Sequence, residues 1–479
     1  MNILSWNFVG FTLIALVVYY YLPRRSQNIW LLACSFFFYA GFGWEPLAIL
    51  ISTIFFNYLV GGWLSRSNPS RILFYLGIGV NLAAILGLKI VTSRYAGIFL
   101  SPLQFAGLDP QALLKQIYLP VGFSFYVMQA IAYLADVYQK RLPACKNPVD
   151  FALYMAYFPK MVSGPIEKAR PFLTILANNR VVDNEALKKS SVLILLGLTR
   201  KIVFADLLYR IGAREIFSTP NTGNINPWFG LLAYAFYIYN DFAGYTDIVR
   251  GISGLFGIPL SQNFRNPYLS RNFSEFWTRW HITLSTWLKE YIFFPLSRKL
   301  LRKVRNPQNL VNLVSPPLVT MLASGLWHGF SLAMLLWGGI HSLYLIIERV
   351  LFLRFPSLRP QEQGPWGRRL STLVTFILVI LAWVPFGLNI LKPSFSFWAS
   401  LFRPQSLDAS LPATILVMGL IIMTIVIDWV QNKYQDEVIP LQWPAWAQVL
   451  ILFAVINLFF LAAVFTGFPK LQEFVYRMF

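Results

Sequence analysis

The run LVTMLASGLWHGFSLAMLLWGGIHSLYLIIER, Leu318 to Arg349, carries no charge before Glu348. As one straight helix it would extend about 48 Å at roughly 1.5 Å per residue, against a bilayer hydrocarbon core of about 30 Å. A run this apolar belongs in a membrane, and a run this long must break, tilt strongly or turn back there. The glycines at 325 and 329, and the pair at 338 and 339, mark the places. His328 lies between the first two. Interrupted helices at membrane depth are where membrane proteins often build sites, and an imidazole there is costly enough to be functional by default.

Outward from this run the chain keeps the same character. It is 57% hydrophobic, 17% aromatic and only 13% charged, a composition foreign to soluble domains. The apolar runs are long and continuous rather than alternating, so the spans are helices and not strands. The fold class is an all-α polytopic bundle of about ten spans, each needing about 20 apolar residues. Spans are expected up to Leu22, then at 28–42, 45–64, 72–91, 117–135, 189–211 and from Trp228 on. After the Leu318–Arg349 run, others follow at 371–390, 412–431 and 446–466. The first span is followed, not preceded, by Arg24 and Arg25, which puts the N-terminus outside and these arginines in the cytoplasm.

The net charge of +20 is dispersed over short connections between apolar runs. That is the pattern of positive-inside loops meeting anionic membrane lipid, not a nucleic-acid footprint. Cys34 and Cys145 stand far apart in unlike surroundings, and three histidines without close ligand spacing make no zinc site.

Several polar segments interrupt the apolar pattern. Residues 101–116 and 218–227 read as polar connections. Tyr157 to Glu167, with Pro159, Lys160, Gly164 and Pro165, is either a broken or re-entrant segment lining a cavity or an interfacial loop. The Trp228 run ends in Asn240, Asp241 and Asp247, which need partners or a wet cavity. These carboxylates either serve the chemistry or neutralise nearby arginines. From Ser261 to Leu300 aromatic and basic residues alternate, as suits interfacial helices dipping inward. The cluster Arg298, Lys299, Arg302, Lys303 and Arg305 belongs in the cytoplasm.

All three histidines, His281, His328 and His341, fall between Tyr239 and Ser342. A buried neutral imidazole can take a proton from a hydroxyl, the task of a general base in acyl transfer. His328 is the candidate base. His281, if helical, shares a face with Trp277 and Ser285 and could orient an acyl carbonyl or the acceptor. His341, beside Ser342, is either a packing residue or a secondary member of the site.

The ordered set Tyr239-Asn240-Asp241-Phe242-Ala243-Gly244-Tyr245-Thr246-Asp247, Asn263 to Tyr268, Glu275-Phe276-Trp277-Thr278-Arg279-Trp280-His281 through Ser285, and Leu326-Trp327-His328-Gly329 resembles the membrane-bound O-acyltransferase family. It is most similar to the alginate O-acetylation subgroup. Phe158-Pro159 to Ile166 and Leu336 to His341 match that subgroup too. The motifs cover about 117–345 of a single domain, 1–479, with 371–466 as scaffold spans. The resemblance implies a bundle of about eleven spans, with re-entrant or interfacial helices around an internal funnel, His328 as catalytic histidine and His281 as the second functional one. Asn240, Asp241, Arg279, Trp327, Trp280, Ser285 and His341 are then supporting or funnel residues.

The resemblance further implies no permanently bound cofactor and an acyl thioester donor, acetyl-CoA or an acyl carrier, on the cytoplasmic side. The acyl group, acetyl first of all, goes toward an extracytoplasmic polysaccharide, directly or through a periplasmic or surface partner. The enzyme would sit in the cell membrane as a multi-pass protein. One departure is that Pro295-Leu296 is followed by Ser297-Arg298-Lys299 where the subgroup has a glycine pair, so the loop near the cytoplasmic mouth differs. Two rivals remain: D-alanyl transfer to teichoic acid, and a polysaccharide or lipid transporter gated by broken helices.

Overall fold

A computed structural model describes residues 2–66, 68–101, 119–180, 182–214, 226–403 and 411–466. Most of the 101–116 connection, and all of 218–227 except its last two residues, lie outside the described residues. The described part contains helices and no strand, as an apolar chain without alternation dictates. Seven of its helices are long and apolar enough to cross a membrane, and Trp6–Tyr21 is a shorter apolar one. The protein is a multi-pass membrane protein. Its contacts divide it into two units, 1–194 with 248–261, and 195–247 with 262–479.

In the first unit, α1 (Trp6–Tyr21), α2 (Arg24–Ala40), α3 (Trp44–Leu64) and α4 (Arg71–Val91) pack each on the next, and α3 and α4 hold α5 (Phe123–Tyr138). Expected spans at 28–42 and 117–135 thus become helices of 17 and 16 residues. Nearly every α5 residue is buried, so this helix is a core element rather than a lipid-facing one. Gly61 of α3 lets the Tyr133 ring of α5 approach so closely that a Cβ would lie 2.5 Å from it. Asn57 and Asn81 exchange side-chain hydrogen bonds of 3.2 and 2.8 Å between α3 and α4.

Helices α6 (Pro148–Ala156) and α7 (Ala169–Ala177) are separated by a non-helical stretch in which 157–167 is buried throughout. This is the broken segment and not an interfacial loop. Its polar groups are paired, as buried irregular backbone requires. Lys160 donates to Gln129 Oε1 and to the Tyr154 carbonyl at 2.7 Å. Glu167 accepts from Ser261 N–H at 2.6 Å and from its hydroxyl at 2.9 Å.

In both units the chain passes through α8 (Asn184–Leu198) and α9 (Pro227–Leu255). Beyond Leu198 the helix widens into π-type turns at Thr199–Ala205 and Tyr209–Ala213. These turns lie in the second unit, as do Asp241 and Asp247, and they carry Arg200 and Lys201 into its core. Arg200 meets Asp428 at 2.8 Å and Asp247 at 3.9 Å; Lys201 meets Asp241 at 2.6 Å and Asp206 at 2.9 Å. The carboxylates at the end of the Trp228 run are therefore counter-charges.

The rest of the second unit comprises short helices α10 (Phe273–Arg279), α11 (Ile282–Leu288) and α12 (Phe294–Lys303), then α13 (Leu310–His328) and α14 (Leu332–Arg354). After these come α15 (Pro365–Leu388), α16 (Leu391–Ser400), α17 (Leu411–Tyr434) and α18 (Ala445–Thr466). The 318–349 run breaks right after His328, where Gly329 is extended and its N–H caps Gly325 O at 3.0 Å. Gly338 and Gly339 do not break it. They lie inside α14, where Gly338 is so close to the Met321 carbonyl of α13 that a Cβ would collide with it. Gly325 meets the Met334 carbonyl in the same way. Close backbone approach, not a bend, is what this second glycine site supplies.

Candidate active site

Asn272 caps α10 by accepting Glu275 N–H at 2.7 Å, while the Glu275 carboxylate reaches back to accept Arg271 N–H at 2.9 Å, one residue before the cap. The helix ends at Arg279, and α11 starts only three residues later. Between them His281 adopts φ 41° and ψ 57°, the left-handed region that costs a bulky residue strain. His281 is therefore not helical, contrary to the shared face expected with Trp277 and Ser285. Asn263 holds the turn: its carbonyl accepts Ile282 N–H at 2.9 Å, and its Oδ1 accepts the Thr283 hydroxyl at 2.7 Å. Ser285 spends its hydroxyl on the Trp280 carbonyl, 3.0 Å away. So fixed, the imidazole is 1% exposed, and burial pushes its pKa down to about 3.

His328 ends α13 and is 4% exposed. An unbroken relay of aromatic rings links the three histidines. His281 lies 4.8 Å from the Phe242 ring and 5.9 Å from Trp327. Trp327 lies 4.7 Å from His328, and His328 lies 5.0 Å from both Trp337 and Phe386. Trp337 lies 5.0 Å from His341, which also sits 5.0 Å from Trp277. The structure thus assembles the three histidines in one ring cluster, and His341 is a member of it.

The supporting residues divide. Trp327 is in the cluster. Trp280, 2% exposed, packs on Phe264 and Trp383 at 5.0 and 4.8 Å as a core anchor. Arg279 is occupied with Glu275 at 2.7 Å and Asn432 at 3.0 Å. Asn240 accepts Arg200 at 3.2 Å and donates to Thr424, and Asp241 is held by Lys201; their neighbour Phe242 is what touches His281. Sequence reading missed Trp337, Trp383 and Phe386 as cluster members. Trp337 was findable, four residues before His341 and so on the same helix face.

Beside the cluster is a mostly apolar cavity of about 270 Å³ lined by Trp277, Ser285, Leu288, Met321, Leu345 and Arg349 among others. A wider, more polar recess of about 840 Å³ shares Ser274, Thr278 and Arg349 with it and adds Arg271, Glu348 and Arg359. On α14 the residues Trp337, His341, Leu345 and Arg349 repeat every four positions, so one helix face runs from His328's ring contact to the recess.

A family model described as MBOAT, membrane-bound O-acyltransferase family, matches residues 140–391. The chain is 32% identical over 422 residues to a probable alginate O-acetylase of Pseudomonas putida, covering 86% of this chain and 82% of that protein. It is 29% identical over 402 residues to a peptidoglycan O-acetyltransferase of Helicobacter pylori, covering 77% and 73%. A teichoic acid D-alanyltransferase of Bacillus subtilis is 24% identical over 282 residues, 56% of this chain and 68% of that one. The chain belongs to the membrane-bound O-acyltransferase family, on the side of its alginate O-acetylation-like members. It is a membrane O-acyltransferase that uses an acyl donor.

Proposed function

We propose that this enzyme moves an acetyl group from a cytoplasmic thioester, acetyl-CoA or an acyl carrier, to hydroxyls of an extracytoplasmic polysaccharide, directly or through a periplasmic or surface partner protein. The observation that carries this reading is the continuous α14 face from His328's cluster to the Arg349 recess. The recess lies at the end of α14 and the start of α13 and is lined by Arg271, Arg349 and Arg359; in the chain the basic residues of α12 precede it and Arg354, Arg368 and Arg369 flank Arg359. Positive charge of that density marks the cytoplasmic side. A phosphorylated donor head suits the arginines of the recess, and an acyl arm suits the apolar cavity. Arg24 and Arg25 after the first helix support an N-terminus on the outside, in a protein of the cell membrane.

His328 acts as general base on the acceptor hydroxyl, and the strained His281 turn orients the acyl group or acceptor. Asn240, Asp241 and Arg279 act at one remove, holding the elements that carry the site. The acetylase relatives favour acetyl, while the D-alanyltransferase relative keeps D-alanyl transfer as the second reading. The test is transfer of radiolabel from acetyl thioester to surface glycan in membranes. His328→Ala should abolish it at unchanged abundance and insertion; retained transfer sinks the assignment. Label arriving only from a D-alanyl carrier thioester selects the second reading.

A further inference from the structure

We propose that Trp337 is a further catalytic residue, its indole N–H donating a hydrogen bond to the acyl carbonyl oxygen as the thioester is attacked. This rests on the role of His328 proposed above. Trp337 is fully buried, 0% exposed, and stands edge-on to His328 at 5.0 Å and 86°. Its Nε1 has no hydrogen-bond partner among the described residues. Buried tryptophan N–H groups nearly always have a partner, and an orphan costs of order 1–3 kcal/mol. Such a group beside a catalytic base is retained where a partner arrives with the substrate.

Of the neighbouring indoles, Trp327 also meets His328, at 4.7 Å, but at 8% exposed it is less deeply buried than Trp337. Trp277 faces the cavity and meets His341, and Trp383 packs on Trp280 and Trp337; neither has a ring contact with His328 among the described residues. His341, whose two ring nitrogens also lack partners among the described residues, touches the other side of this arrangement at 5.0 Å from Trp337. Two buried residues with partnerless polar atoms thus stand side by side in an otherwise apolar ring cluster.

The chemistry closes without any other reagent. The acceptor oxygen forms a bond to the carbonyl carbon while its proton passes to His328. The carbonyl electron pair moves onto oxygen, where the indole N–H stabilises the developing negative charge. When the carbonyl re-forms, the carbon–sulfur bond breaks, and the leaving thiolate takes the proton from the His328 imidazolium. Ester and free thiol are the products.

The decisive experiment is single-turnover acetyl transfer by the full-length enzyme in nanodiscs, comparing wild type, Trp337→Phe, His328→Ala and an enzyme carrying benzothienylalanine at 337, a shape-matched replacement that lacks the N–H. The inference predicts a loss of about 10²–10³-fold in the transfer rate for both 337 replacements, the usual size for one such donor, with donor KM unchanged. Wild-type rate in the benzothienylalanine enzyme overturns the inference, even if Trp337→Phe is impaired, because shape alone then accounts for the residue. An inactive His328→Ala beside that result leaves the base assignment standing; an active one defeats the base assignment itself.

Discussion

Glu348 of α14 clasps the first turn of α10, accepting Phe273 N–H at 2.6 Å, Ser274 N–H at 3.2 Å and the Ser274 hydroxyl. A carboxylate at a helix start satisfies orphan donors and meets the positive end of the helix dipole. The clasp joins the helix that carries Trp277 and leads to His281 to the helix that carries Trp337 and His341.

Glu348→Ala should therefore lower thermal stability by about 1–3 kcal/mol, the cost of leaving buried donors unpaired, and reduce kcat more than donor KM. Glu348→Gln, which keeps an acceptor oxygen, should recover most of both. Thermal unfolding in detergent and steady-state transfer assays check the pair. Equal activity in Glu348→Ala and wild type would show that the clasp does not position the site.

Arg200 and Asp428 form a second test. Asp428 accepts Arg200 at 2.8 Å and the Tyr239 hydroxyl at 2.8 Å, all inside the unit. Asp428→Ala leaves a buried cation short of its nearest counter-charge and should cost about 3–5 kcal/mol. Replacing both by apolar residues, Arg200→Met with Asp428→Leu, should return a large part of that stability. If the double variant is no more stable than Asp428→Ala, the ion pair is not the reason for the loss.

The third concerns acid. His281 stays neutral in the folded protein down to about 3, whereas the unfolded chain takes up a proton near its ordinary value of about 6.5. Below that value the unfolded state binds one proton more, so folding weakens as pH falls, by about 1.4 kcal/mol per unit until the folded-state value is reached. His281→Asn, which also tolerates the left-handed turn, should flatten this slope while abolishing transfer. Melting temperatures from pH 7 to pH 4 for both proteins give the answer; parallel curves would contradict the assignment.

The break in the 318–349 run was legible because length arithmetic forbids one straight span, and the glycines at 325 and 329 were one of the two places marked for it. The role of Gly338 was not. A glycine that bends a helix and one that admits a neighbouring backbone look alike in one dimension, and only the Met321 carbonyl across the gap tells them apart. His281 shows the same limit: the Trp-His phrase marked it, yet the helix stops at Arg279 because Asn263 and Arg265, far back in the chain, capture the turn. Arg200 and Lys201 were visible as charges in an apolar run. Asp428, the nearest partner of Arg200, lies too distant in sequence for spacing to reveal it.

The four-residue stripe on α14 acts as a ruler. From Trp337 to Arg349 the helix rises about 18 Å at ~1.5 Å per residue, and the space beside it narrows from the open recess to closed rings. A donor whose head rests at Arg349 presents its acyl carbon to His328 only if a slender arm of about that length lies between. Acyl phosphates and other headless activated acids carry no such arm, so on the proposed reading the donor would be selected by reach as much as by charge.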